Sequence, residues 1–436
     1  MPVLDSGLLF NRADGNRTVK LIVSVANMGL QSSPVRIELY TARMDVPDSL
    51  YGRLSFIGSR HATLSPCRSD RSVCMMAFNV EAEDVFGIRL TSSGLGACEL
   101  TATVTEQDAE GRSTQRHLLQ TALVRLDEYQ LAYVANHAEH TVTVLQTATH
   151  ARLATIKLPE GCRPRNLAAL PDGSSVYVTC PGDRTVKRIS GTAYDVAYDI
   201  HFPQEAVPYA IALTPDGERL FVTTLLEDAV HMIDAESGRM IHSVSLPESS
   251  DASAIGITPD GSGVYVCLTD AAKVVMLDAA TGELRTIIRL SEGSQPSSIA
   301  FTPDGAFMYI TDLYYNGVLA LNTDGYTVAA KLNTGANSKP HAVLFTPDGS
   351  LAYVANREGD ELTVFNTARA EVLTTVELPA GSTASGLAIS SDGTKVYVPL
   401  LTFGYVAVID VQSQQPIAIV PSGNFPSSIV ITNPNV

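Results

Sequence analysis

An Asp-Gly turn recurs through the chain with an unbroken step of 44 residues, its glycines at Gly173, Gly217, Gly261, Gly305, Gly349 and Gly393. The aromatic residue of the run that follows keeps the same step, from Tyr133 through Tyr177, Phe221, Tyr265, Tyr309 and Tyr353 to Tyr397. A period held over seven copies without a slip of register limits the chain to a repeat architecture. Within a copy the apolar runs are short and rich in β-branched and aromatic residues. In the third copy they are the start of IALTPDG, then RLFVTT, AVHMID and MIHSVSL. Gly, Pro, Asp and Ser separate them, and none shows the period of an amphipathic helix. Each run is a strand. At the turn, proline presets φ and withholds the donor a continuing strand needs, Asp caps through its side chain, and Gly accepts positive φ.

A repeated unit of four strands and this length is the blade of a β-propeller. One such sheet cannot bury both faces alone, whereas two radial neighbours cover them. The first copy opens at LAYVANH (131–137), which is a second strand of a blade, and SSIVIT (427–432) supplies its missing first strand. Residues 129–436 hold seven lengths of 44. The sequence therefore predicts an all-β chain whose residues 128–436 form a seven-bladed propeller, closed by a blade of 3+1 strands.

The first 127 residues lack this period. They alternate instead, with Val19, Leu21, Val23 and Val25 on one run, Val35, Ile37 and Leu39 on the next, and Cys98, Leu100, Ala102 and Val104 on a third. Asp14-Gly15 is a hairpin turn signal. This pattern predicts an immunoglobulin-like β-sandwich over 1–127, without the Cys…Trp…Cys core of true immunoglobulin domains.

AYVANHAEHTVTVLQTAT (132–149) and LAYVANREGDELTVFNTA (351–368), each leading to a Pro-Asp-Gly type of turn, resemble the YVTN family of propeller repeats, of the surface-layer or YncE-like kind. The resemblance covers all seven blades. It implies a cell-surface or extracytoplasmic binding protein, and related propellers carry cofactors such as haem d1 or act as lyases and lactonases. The absence of tryptophan sets aside the WD40 pattern and the tryptophan-docked quinoprotein propellers. The GPDG…W repeats of streptogramin lyases are missing as well.

Charge narrows the function classes. A net charge of −16 excludes the basic surface that binding a phosphate backbone requires, so no nucleic-acid partner is expected. No apolar run reaches the length of a transmembrane helix. The opening MPVLDSGLLFNRADG shows no signal peptide, which leaves the compartment open. Six scattered cysteines form no CxxC pair. Cys67 and Cys74 flank a short loop, and Cys162 and Cys180 fit neighbouring strands, but free thiols are the favoured reading.

In a propeller the loops entering each first strand share one face with those joining the second and third strands. On that face, one step after each leading proline, stand Arg165, Tyr209, Ser253, Ser297, His341, Ser385 and, by an approximate alignment, Ser427. They form the candidate ligand ring at the channel mouth, with Arg165 and His341 suited to an anion or a carboxylate. Tyr314, Tyr315, Phe403 and Tyr405 lie on loops of the same face and suit a protein or glycan partner. His137 and His140 have the spacing of metal ligands but lack a third ligand, and read as solvent-exposed histidines. The loops LEDA (226–229) and NREGDELT (356–363) read as solvated turns. No phosphate loop, nucleophile elbow or Ser-His-Asp set is found, and no metal, cofactor or catalytic residue is assigned. The favoured function is a non-enzymatic binding or assembly protein acting through the loop face. The alternatives are a propeller enzyme or cofactor carrier working at the axial mouth, and a structural component of a spore or virion surface.

Overall fold

In the computed structural model of the chain, the described residues are 130–436 apart from 171, 248–249 and 433–436, together with strand segments between residues 2 and 125. The chain falls into two compact units, Met1–Tyr129 and Gln130–Val436. In the first unit, one antiparallel sheet has the strand order Leu54–Leu64, Ser33–Ala42, Val85–Ser92, Pro2–Phe10 and Val124–Arg125. A second has the order Val73–Val80, Val19–Asn27, Leu100–Gln107 and Ser113–Leu119. The immunoglobulin-like packing, the Asp14-Gly15 turn and a Cys67–Cys74 bridge lie outside the described residues. No helix among the described residues is long and apolar enough to cross a membrane.

The second unit is a seven-bladed propeller built from seven antiparallel sheets of four strands. The third blade is typical, with strands Val207–Leu213, Arg219–Leu225, Ala229–Asp234 and Met240–Ser245 in that order. The first blade takes its inner strand, Pro426–Thr432, from the far end of the chain and pairs it with Leu131–Asn136. The register runs from Leu131↔Thr432 to Asn136↔Pro426. This is the 3+1 closure that the repeat phase predicts.

The cores lie between blades rather than within them. Ala132, Val134 and Ile429 of the first blade pack with Tyr397, Val406 and Val408 of the seventh, and equivalent clusters join the other neighbours. The repeated aromatic is buried in every blade, and its hydroxyl often reaches the next one. Tyr397 donates to the Thr147 carbonyl at 3.0 Å, Tyr177 to that of Ala235, and Tyr353 pairs with Gln414.

The Thr-Pro-Asp-Gly turn is a second inter-blade device. Thr302 Oγ1 donates to Asp304 Oδ1 at 2.6 Å, and the same carboxylate accepts from the Ala306 N–H at 3.0 Å. Gly305 has φ +72°, which favours glycine on backbone grounds. Space adds a further reason at Gly349 and Gly393, where a Cβ would stand 3.1 and 3.0 Å from Cδ of Pro303 and Pro347, the prolines of the preceding turns. The prolines and glycines of successive turns therefore abut around the ring.

The free-thiol reading of Cys162 and Cys180 is corrected. The two form a disulfide, with Cα atoms 4.9 Å apart. Cys180 ends the second strand of the second blade, and Cys162 lies in the loop that leads into the same blade. A hydrogen bond from the Gly182 N–H to the Cys162 carbonyl, 3.1 Å, helps hold them together. Cys267 stays a free, buried thiol, which burial holds well above the usual range.

Candidate functional site

The face opposite the Pro-Asp-Gly turns is built from two sets of loops tied by backbone hydrogen bonds. The N–H groups of His137, Thr269, Leu313, Arg357 and Leu401 donate to the carbonyls of Phe425, Asp251, Gln295, Lys339 and Thr383, at 2.9 to 3.1 Å. Four of those acceptors (Asp251, Lys339, Thr383 and Phe425) have φ between +46° and +56°, as does Arg163 at +53°. Non-glycine residues seldom adopt this conformation, and here it recurs at one repeat position, where the chain turns into each first strand.

The predicted ring residues divide by chemistry. Ser253, Ser297 and Ser385 direct their hydroxyls to the carbonyls of Pro296, Pro340 and Pro426 in the next blade, at 3.4, 3.0 and 2.6 Å. Ser427 does the same toward Arg165, at 2.8 Å. These serines tie blade to blade. Arg165 also reaches the next blade, donating from Nη2 to Tyr209 Oη at 2.8 Å, with its guanidinium 5.1 Å from the centre of that ring. His341 is half-buried, and its Nδ1 is sealed from solvent without a hydrogen-bond partner. Burial, with the charges of Arg357 and Arg165 behind it, pushes its pKa down to about 4. Arg165 belongs to the second blade and His341 to the sixth, so that charge acts across the mouth.

The reading of His137 and His140 as exposed is corrected, for both are half-buried. His140 accepts the Arg163 N–H at Nδ1, 3.2 Å, and so shapes the loop carrying Arg163 and Arg165. Nδ1 of His137 is buried without a partner, and burial lowers its pKa, with Arg165 the next cause. The one grouping of metal-ligating atoms among the described residues is Cys162, Cys180 and Asp183, and its sulfurs are joined to each other.

The acidic loops are ordered by specific contacts. Asp228 Oδ1 accepts from Ser250 Oγ at 3.1 Å, and Glu227 lies 3.4 Å from His231 Nε2.

The aromatics occupy the outer part of the same face. Asp312, buried at the end of its strand, accepts the N–H groups of Gln295, Tyr314 and Tyr315 at 3.0 to 3.1 Å and fixes their loop. The Tyr314 and Tyr315 rings stand edge to face with centroids 5.1 Å apart, and Tyr315 Oη donates to the Glu292 carbonyl. Phe403 and Tyr405 are exposed as well. Beside the tyrosine pair lies an off-axis cleft of about 450 Å³ between residues 269–273 and 289–295.

Five residues of this face were given no role from the sequence: Arg163, Lys339 and Phe425, and, within the loops read as solvated turns, Leu226 and Arg357. Three of them had a visible signal. Arg163 and Lys339 share one repeat column, and Arg357 shares another with His137, each beside the column that was read.

Burial lowers the pKa values of His137, His150, His231 and His341 together. Their folded states favour the neutral ring. The stability they contribute is full above the ordinary value of 6.5 and declines as pH falls below it. The turn carboxylates Asp216, Asp260, Asp304 and Asp348 are held low, chiefly by the Thr hydroxyl of each turn, and lose their contribution only below 3.8. The melting temperature should therefore fall already between pH 7 and pH 5, and His341→Gln should reduce that fall. A melt that is flat until the carboxylates titrate would remove the histidines from this account.

The sequence profile of the YNCE-like β-propeller matches residues 114–433. No curated protein matches the chain. Among solved structures, the chain is similar to a functionally unknown protein from Desulfotomaculum acetoxidans, with 21% identity and a TM-score of 0.61 over 70% of this chain and 99% of that one. It is similar to hydrazine synthase from Kuenenia stuttgartiensis, with 20% identity and a TM-score of 0.56 over 64% and 92%. Virginiamycin B lyase from Staphylococcus aureus follows with 15% identity and a TM-score of 0.53 over 59% and 84%. At such identities the likeness concerns the fold. The profile match spans well over half of the residues and includes all seven blades, and the chain belongs to the YNCE-like β-propeller family.

Proposed function

We propose that this propeller is a non-enzymatic binding protein whose loop face docks a protein partner. The observation that carries the reading is the uneven placement of exposed aromatic side chains, since the large apolar residues exposed on the outer strands, such as Met240, Leu284 and Ile417, are aliphatic. Tyr314, Tyr315, Phe403, Tyr405 and Phe425, and the aliphatic Leu226, are all exposed on the loop face. Among the described residues, the Pro-Asp-Gly turns of the opposite face expose no large apolar side chain. Aromatic residues held on rigid loops are the usual anchors of protein contacts. The buried Asp312 carboxylate supplies that rigidity for the tyrosine pair.

Binding is favoured over turnover because the unpartnered Nδ1 of His341 lacks the orienting carboxylate that a general base requires. Tyr315→Ala and Phe403→Ala should each weaken the partner complex by more than about 2 kcal/mol while leaving the melting temperature unchanged. Hydrogen exchange of the complex tests the placement. Protection confined to the Pro-Asp-Gly turns or to residues 1–127 would overturn it, and turnover that depends on His341 would make the protein an enzyme.

A further inference from the structure

The cleft beside the tyrosine pair has two walls. One is the loop 269–273, which joins the second and third strands of the fourth blade. The other, 289–295, is the end of that blade's outer strand and the loop leading into the fifth blade. The Leu290 N–H donates to the Ala272 carbonyl at 3.0 Å and ties them together. A volume of about 450 Å³ falls among small-ligand sites, which span about 300–1,000 Å³. Gly293 lines the cleft, and a Cβ there would stand 3.5 Å from the Tyr314 ring, so that ring lies against the wall. Tyr315 is held to the same wall by its bond to the Glu292 carbonyl, 2.9 Å. Tyr314 is still 59% exposed, which leaves ring surface open to a ligand. The charges of the cleft are distinctive. Lys273 and Arg289 are direct cross-strand partners, and both line it. Side chains so paired leave one face of the sheet with Cβ atoms about 4.5–5.5 Å apart, and like charges there repel. Neither makes an ion pair among the described residues, although the chain carries a net charge of −16. Asp270 and Glu292 bring carboxylates to the same cleft without pairing with either cation.

We propose that this cleft binds an acidic sugar, a uronic acid residue whose carboxylate is seated on Arg289 and Lys273 and whose ring rests against Tyr314. A guanidinium offers a carboxylate two parallel N–H donors, and the lysine adds a second positive charge beside it. The C–H groups on one side of a pyranose are slightly positive and settle on the negative face of an aromatic ring. Sugar hydroxyls need acceptors as well as donors, and Asp270, Glu292 and the Gln295 amide supply both. The same two carboxylates weigh against an acidic peptide, whose successive negative charges they would repel. A uronate brings a single negative charge and several hydroxyls. The cleft shares its tyrosines with the protein-docking face, but Phe403 and Tyr405 lie outside it. Failure of the sugar to bind would therefore leave the protein-docking reading standing.

The test is calorimetry and saturation-transfer NMR on the full chain with the methyl glycosides of glucuronate, galacturonate and mannuronate. The placing of the hydroxyl acceptors selects among their configurations. The neutral methyl hexoside of matching configuration, acetate and tetraglutamate serve as controls. One uronide should bind at least about tenfold more tightly than every control, the difference expected for a charge-assisted hydrogen bond. Arg289→Gln should remove the preference for the uronide over the neutral hexoside. Its melting temperature should be unchanged or raised, because a like-charge pair is broken. Tyr314→Ala should weaken uronide and hexoside alike, and Phe403→Ala should leave both affinities unchanged. Absence of binding of every uronide at millimolar concentration would overturn the proposal. So would equal binding of acetate, which would make the cleft an anion site only, or tighter binding of tetraglutamate, which would make it a peptide site. A preference indifferent to Arg289→Gln would overturn it too.

Discussion

Removal of residues 427–436 should leave the protein insoluble, or lower its melting temperature by more than any single substitution does. The deletion takes away nearly all of the inner strand of the first blade, whose partner strand Leu131–Asn136 is buried at every position. It removes Ile429 from the core shared with the seventh blade and opens that core to water. Each large apolar side chain lost from burial costs about 1.5–3 kcal/mol. The unpaired edge of Leu131–Asn136 then becomes a template for association with other chains. Thermal melts and sedimentation of the truncated protein read both effects. A soluble variant with an unchanged melt would show that the ring does not depend on this strand.

Replacing Cys162 and Cys180 by alanine should be the next most damaging change. The crosslink closes a loop with a sequence separation of 18, for which the loss of unfolded-chain entropy predicts a stabilisation of about 3 kcal/mol. The cost should appear as a lowered midpoint in denaturant, and a reducing agent should produce the same shift in the native protein but none in the double variant. Both sulfurs are buried, so the reductant must be present throughout unfolding, and a midpoint that it leaves unmoved would contradict this. The effect reaches the mouth as well, because Cys162 is followed directly by Arg163, Pro164 and Arg165.

The number of blades and the manner of closure were legible because both depend on repetition. A step of 44 residues preserved from Tyr133 to Tyr397 cannot be satisfied by unequal units, and a first copy that begins at a second strand needs a donor elsewhere. The role of the threonine in each Thr-Pro-Asp-Gly turn was less legible. Its hydroxyl donates to the Asp carboxylate and accepts from the strand that follows, an arrangement invisible until the turn is folded. The disulfide was missed because Cys162 lies in no strand and is brought to Cys180 by a loop.

At the mouth, residue type was a poor guide to role. Ser297 and Ser427 occupy the same repeat position as Arg165 and His341, yet their short side chains are used within the wall of the channel. The longer Arg165 side chain at that position also ends on the neighbouring blade, at Tyr209. The exposure of Tyr314 and Tyr315 was legible from their place on a connecting loop. The rigidity of that loop depends on Asp312, which reads in the sequence as one more turn aspartate.

The closing strand also sets a schedule for synthesis. Leu131 and Thr432, hydrogen-bonded neighbours in the folded ring, are separated by 301 positions along the chain. At a translation rate of roughly 5–20 residues per second, a ribosome needs about 15–60 s to pass from one to the other. Throughout that interval the other blades have their own four strands as they emerge, while the first waits with an open inner edge. The nascent chain therefore carries an adhesive strand until Pro426–Thr432 emerges, and on a polysome many such strands are held close together. A holding chaperone that occupied Leu131–Asn136 during synthesis would be displaced by that closing strand.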